Sequence, residues 1–247
     1  MKLYILGTSA AFASRDEGCS SYMIESDDKY YLIDVGSGAV NMMSRYIHYT
    51  RLSGIFISHL HADHTSDIYP LRYALYTGQK EGKLPRPFPV YMPKKPSKYY
   101  RFIKNFIKGE CRIHHPSGRK KIKIGNINVN FLRVEHPIST WAMRFEEDGR
   151  SLVYTSDTMY FEELVRFSKG ANVILAEATL QNIDRELVNL GHMTAEDAGT
   201  LASEAGAETL ILTHIWPEYD RTISLKEASS TFSGKLFMAR GGDIYTI

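Results

Sequence analysis

The chain has 247 residues, 43% of them hydrophobic and 23% charged, with a formal net charge of +2. That length fits one large α/β domain or two small ones, and the near-neutral balance assigns no anionic partner to the chain as a whole. The two cysteines, Cys19 and Cys111, make neither a disulfide framework nor a four-thiolate zinc site, which points to a reduced, cytoplasmic setting.

Lys2–Leu6 reads as a strand running into a loop rich in Gly, Ser and Ala; its apolar stretch is too short for a signal peptide. Ser21–Ile24 and Tyr30–Ile33 read as strands joined by a turn at Asp27-Asp28. A loop over Asp34-Val35-Gly36-Ser37-Gly38 leads to a helix at Ala39–Tyr46, and Gly54–Ser58 is a short apolar strand. From Asp67 to Gly118 the pattern is less regular, interrupted by Pro85, Pro87, Pro89, Pro93 and Pro96, apart from a helix at Ser97–Ile107. Ile122–Ile124 and Ile127–Leu132 suggest a hairpin, followed by strands at Trp141–Phe145 and Leu152–Thr155. Helices at Phe161–Ser168, Thr194–Ala205 and Ile223–Phe232 then alternate with strands at Val173–Ala176, Thr209–Thr213, Lys235–Met238 and Asp243–Thr246. No fixed-period repeat or low-complexity linker divides the chain, and no run approaches the roughly 18 apolar residues of a membrane span. One layered α/β domain over 1–247, working in water, is the simplest solution.

The strand Gly54–Ser58 stops at His59-Leu60-His61-Ala62-Asp63-His64. In extended chain, residues two apart point the same way, so His59 and His61 can share one metal. Asp63 and His64, where the chain turns towards a helix, can face a second. Imidazole and carboxylate donors without thiolate suit zinc first, with manganese or iron as alternatives. Four side chains do not close two sites. His136, Asp157 and His214 each lie just past the end of an apolar run, where ligands gather in α/β sheets, and complete the set. Asp34, also past a strand, is a candidate to hold a ligand from behind or to stabilise its own loop. His48, His114 and His115 have surface or packing roles.

HLHADH followed by His136, Asp157 and His214, with LGTSAAF near the start and LIDVGSG at Asp34, resembles the metallo-β-lactamase superfamily over nearly the whole chain. The resemblance implies a four-layer αβ/βα sandwich and two metal ions, Zn2+ first. His59, His61 and His136 would hold one, Asp63, His64 and His214 the other, and Asp157 would bridge. Within the superfamily, Gly191-His192-Met193-Thr194-Ala195 and Ala176-Glu177-Ala178-Thr179 look like signature segments of the ribonuclease Z group and its phosphodiesterase relatives. In that group the histidine matching His192 assists at the phosphate and the glutamate matching Glu177 supports it. Thr194 and Asp197 form a capping pair at a helix start, and a helix N-terminus favours phosphate. Two departures are visible. Ala176 stands where that segment often opens on His, and only 21 residues separate His136 from Asp157, leaving no room for the long arm of transfer-RNA processing ribonucleases Z. The resemblance is therefore to armless relatives.

The expectation is a phosphodiesterase acting on an RNA 3′ end or a cyclic nucleotide, with Asp63 and His192 as catalytic residues, in a homodimer. The alternative is hydrolysis of a thioester, lactone or other carbonyl substrate. An iron oxidoreductase on the same fold usually carries Glu where this chain has His61, and the complete ligand set opposes a mere binding module. Lys94–Lys123 holds eleven Lys or Arg against Glu110, a net of +10; the remaining nineteen cations and twenty-seven acids leave the rest at −8. Tyr99, Tyr100, Phe102 and Phe106 interleave with these cations. The segment either steers a polyanion or is a solvated helix packed on the core or on a second subunit.

Overall fold

Apolar strands bounded by turn residues build the first sheet, with β1 (Lys2–Gly7), β2 (Ser21–Ser26), β3 (Lys29–Ile33), β4 (Leu52–Phe56), β5 (Phe88–Tyr91), β6 (Cys111–His114) and β14 (Ile244–Thr246). The second holds β7 (Ile122–Ile124), β8 (Ile127–Arg133), β9 (Trp141–Glu147), β10 (Arg150–Tyr154), β11 (Val173–Glu177), β12 (Thr209–Thr213) and β13 (Lys235–Met238). The computed structural model describes residues 1–118 and 121–247, so Arg119 and Lys120 of the basic segment lie outside the described residues. The chain divides into two units, Met1–Pro116 with Arg240–Thr246, and Ser117–Ala239 with Ile247.

Among the described residues the sheets run β14-β1-β2-β3-β4-β5-β6 and β13-β12-β11-β10-β9-β8-β7. Each begins as antiparallel neighbours and continues as parallel ones. In the first, β14 to β3 pair antiparallel and β3 to β6 parallel. In the second, β7 to β10 pair antiparallel and β10 to β13 parallel. The antiparallel neighbours turn on residues that tolerate positive φ: Asp27 and Asp28 (48° and 58°) between β2 and β3, Asp148 and Gly149 (50° and 76°) between β9 and β10. The stretch between His136 and Asp157 is thus filled by β9, its turn and β10, and an arm has no place there.

Parallel strands need crossovers, and these supply the helices. In the first unit α1 (Ala39–Met43), α2 (Ile68–Lys80) and α3 (Ser97–Ile107) bury Ala39, Met43, Ile68, Leu71, Leu75, Ile103 and Ile107 against Leu32, Ile55, Phe88 and Val90. In the second, α4 (Glu162–Ser168), α5 (Ala195–Ala205) and α6 (Arg221–Ser229) bury Leu164, Ala198, Leu201, Ala202 and Ala228 with Val153, Ile174 and Leu210. The small residues along α5 let it lie close: a Cβ at Gly199 would sit 2.5 Å from the Ala228 carbonyl oxygen.

The structure corrects one part of the sequence reading. Asp67–Gly118 is not irregular, for it contains α2, β5 and β6. Pro70 does not break α2 because it sits in the first turn, where its missing N–H has no helical partner to lose. No helix of the described residues is long and apolar enough to cross a membrane.

Candidate metal centre

The first unit gathers its donors at the C-terminal ends of β3 and β4. Asp34, His59 and His64 are fully buried. Asp34 takes φ 54°, a sparsely populated conformation that aspartate accepts more readily than most residues. Its carboxylate accepts from the Ser58 amide at 2.7 Å, the Ser58 hydroxyl at 2.7 Å and His64 Nδ1 at 2.8 Å. A carboxylate accepts only, so these partners assign the His64 proton to Nδ1 and the lone pair to Nε2. That Nε2 faces Asp63 Oδ2 at 3.5 Å, and the same oxygen accepts from the Ala11 amide at 3.0 Å. Ser58 Oγ also lies 3.1 Å from His59 Nδ1, turning His59 Nε2 towards His61 Nδ1 at 3.1 Å. The Ala62–His64 stretch is one 3₁₀ turn, and the Thr65 hydroxyl donates back to the His61 carbonyl at 2.8 Å. Packing beneath the turn is tight: a Cβ on Gly36 would lie 2.0 Å from the Asp63 carbonyl oxygen.

The second unit places His136 past β8, Asp157 past β10 and His214 past β12. Ser156 and His214 take φ of 55° and 52°, so, like Asp34 after β3, two more strand ends carry strained backbone of the kind that clusters at functional sites. His136 Nδ1 donates to the Gly191 carbonyl at 2.9 Å. Burial holds the His136 ring below the usual imidazole range, against the opposing pull of Asp157, and so keeps it neutral as a ligand must be. His214 Nε2 faces Asp157 Oδ2 at 3.4 Å, and its Nδ1 lies 2.7 Å from the Thr179 hydroxyl.

Glu177, fully buried, accepts at Oε1 from the Thr158 amide at 2.9 Å and from His192 Nδ1 at 3.0 Å. Its Oε2 accepts from the Thr179 amide at 3.0 Å and the Thr179 hydroxyl at 2.7 Å. One carboxylate therefore orients His192 directly and His214 through the Thr179 hydroxyl. The rings of His192 and His214 stack at 5.6 Å, and His136 meets His192 edge-on at 5.2 Å. Donor atoms of Glu177, His192 and His214 lie within 4.8 Å of one another. Thr194 and Asp197 close the expected capping box at the start of α5, just past His192.

Sequence reasoning missed Ser58, Thr179 and Gly191. Ser58 adjoins the motif and Thr179 lies two residues past Glu177, on the same side of extended chain, which is the signal that was available. Gly191 supplies only a carbonyl, which no side-chain pattern reveals. The three histidines set aside are used locally. His48 Nδ1 accepts from the Thr50 amide, His114 stacks on Tyr91 at 5.0 Å, and His115 Nδ1 donates to the Met92 carbonyl at 2.9 Å.

These donors are imidazole and carboxylate throughout. Four of the rings (His59, His64, His136 and His214) have Nδ1 held by an oxygen, the arrangement that orients an imidazole to ligate through Nε2. That set fits zinc or a similar divalent ion.

The family described as the Beta-lactamase superfamily domain matches residues 29–215, which include every one of these histidines and carboxylates. The chain belongs to that superfamily and is a metallo-β-lactamase-fold hydrolase. It is 31% identical to the probable metallo-hydrolase YhfI of Bacillus subtilis (strain 168) over 99% of both chains. It matches the crystal structure of that metallo-beta-lactamase fold protein with a TM-score of 0.92, covering 99% of this chain and 98% of that one. Ribonuclease Z of Haloarcula marismortui is 26% identical over 98% of this chain and 95% of its own length. Human tRNase Z, short form, shares the fold with a TM-score of 0.78 at 21% identity, covering 100% of this chain and 99% of that one.

Proposed function

We propose that the two units act as one hydrolase domain and that the protein is a dinuclear-metal phosphodiesterase of the ribonuclease Z-like group. Its substrate would be a cyclic nucleotide or an RNA 3′ end. His59, His61 and His136 would hold one cation, Asp63, His64 and His214 the other, and Asp157 would bridge; two Zn2+ suit the donors best. The reading rests on the family, whose matched residues include all seven, and on each unit's donors alone being too few for two closed sites. Within it, the working form is a cytoplasmic homodimer.

When bound, such a pair acidifies a water and neutralises charge on a phosphate oxygen. The chain's own residues do the rest. Asp63 takes or directs the proton of the attacking water. His192 is the observation that carries the phosphodiester assignment: it lies outside the seven ligands, yet a buried carboxylate fixes its Nδ1 and so sets the orientation of its ring. In its protonated form the ring's Nε2–H pairs with the phosphate or passes its proton to the leaving alkoxide, a transfer worth about 10²–10⁴-fold in rate.

Elemental analysis of metal-replete protein should find two metals per chain. The same preparation is then assayed on a precursor transfer RNA, cyclic nucleotides, a lactone and a thioester. Turnover of only the carbonyl substrates sinks the phosphodiesterase assignment. A His192→Ala variant that keeps its metals and its phosphodiesterase rate sinks the role given to His192.

A further inference from the structure

Beside the histidine motif, within the first unit, lies a groove of about 680 Å³ that no role above uses. That volume falls in the range of small-molecule sites. It is lined by His61, by Tyr69 of α2, and by Lys98, Tyr99, Arg101 and Phe102 of α3. The sequence of α3 explains the lining. Ile103 and Ile107, four apart, are buried, Ile103 forming part of the groove wall as well, while Lys98, Arg101, Phe102 and Asn105 recur at helical spacing and all meet the groove.

SKYYRFIKNFI carries no acid, and two of its rings stand in water, Phe102 at 67% exposure and Tyr99 at 46%. The Phe102 ring meets Tyr69 across the groove at 6.0 Å and 59°, so the walls are aromatic on both helices. Aromatic faces interleaved with Lys and Arg are the chemistry that stacks a base and holds its sugar–phosphate.

We infer that this groove is a nucleobase subsite. The base of a nucleotide stacks on Phe102 and Tyr99, Lys98 and Arg101 pair with its sugar–phosphate side, and the reactive phosphate is carried towards His61. This rests on the phosphodiesterase reading and narrows it: the substrate presents a free base at the scissile phosphate.

The test measures binding of adenosine 5′-monophosphate and of ribose 5-phosphate to the metal-loaded protein by calorimetry. The wild type should bind the nucleotide about tenfold more tightly than the sugar phosphate. Phe102→Ala and Tyr99→Ala should erase that margin, and Phe102→Trp should keep it. All three should leave the circular dichroism spectrum unchanged, because these rings lie outside the core. Equal binding of the two ligands, or a margin that survives Phe102→Ala, overturns the subsite. So does sedimentation showing that Phe102→Ala splits a dimer while the base margin stays, which makes the groove a subunit interface. Turnover of carbonyl substrates alone with the base margin intact sinks the phosphodiesterase reading and leaves the subsite standing; phosphodiester turnover without the margin sinks the subsite alone.

Discussion

Asp34→Asn isolates one proton. Asparagine keeps the volume of aspartate and tolerates the 54° φ at this position, so neither packing nor backbone changes. The hydrogen-bond pattern does change. The carboxylate accepts from three donors, two of them Ser58 groups and the third His64 Nδ1 at 2.8 Å. In the amide, if Oδ1 stays on the Ser58 amide, the NH2 faces the Ser58 hydroxyl and His64. The hydroxyl can rotate to accept, but His64 Nδ1–H then meets another donor. The ring relieves this only by moving its proton to Nε2, the nitrogen that faces Asp63 at 3.5 Å. A ring protonated there cannot ligate. Partners of this kind usually contribute 10–100-fold to metal affinity, or about 1.4–2.7 kcal/mol. Zinc affinity measured by competition with a chromophoric chelator should fall by that factor, with the far-ultraviolet circular dichroism unchanged. A variant that binds zinc within about twofold of the wild type, when His64→Ala does not, refutes the reasoning.

Thr179→Val keeps the shape of the side chain and removes the hydroxyl shared by Glu177 and His214; it should lower stability in urea by about 1–3 kcal/mol and weaken metal binding, and Thr179→Ser should restore both. Gly36→Ala drives a Cβ to 2.0 Å from the Asp63 carbonyl oxygen and 2.7 Å from Cys19 Cβ, so the Asp63 turn must move; overpacking of this kind costs about 1–3 kcal/mol, read in the same unfolding experiment, and metal content should fall with it. Burial pushes the Cys19 thiol up to about 11 and the Cys111 thiol up to about 12. The folded state therefore favours the neutral thiols, and their contribution to stability is complete below the ordinary thiol range and is lost as pH rises through about 11 and 12. A disulfide reagent at pH 8 should titrate both cysteines in the unfolded chain and react far more slowly with the folded one.

Much of this protein is written in local pattern. Apolar runs of four to seven residues and the Asp27-Asp28 turn mark strands because side-chain alternation and positive-φ tolerance are properties of a few neighbouring residues. The histidine motif is legible for the same reason, its four donors lying within six positions. His136, Asp157 and His214 are visible as residues that follow strands. The helix α2 is not legible because the prolines from Pro85 to Pro96 mark the whole stretch as irregular, whereas α2 ends at Lys80 before them and its own Pro70 lies in the first turn, where a proline costs little.

What the sequence determined by itself was the donor chemistry, imidazole and carboxylate without thiolate, and the strand ends that carry it. Tertiary structure decided which nitrogen of each ring is held by an oxygen. Ser58, Asp34, Gly191 and Thr179 reach their histidines from other elements or from a neighbouring position, and hydrogen bonds across 24, 30, 35 or 55 residues follow from how strands are ordered in a sheet rather than from any spacing along the chain. It also decided that Phe102 and Tyr99 face a groove beside His61 rather than the core. Helical spacing alone shows that α3 has two faces but not which of them the sheet will cover.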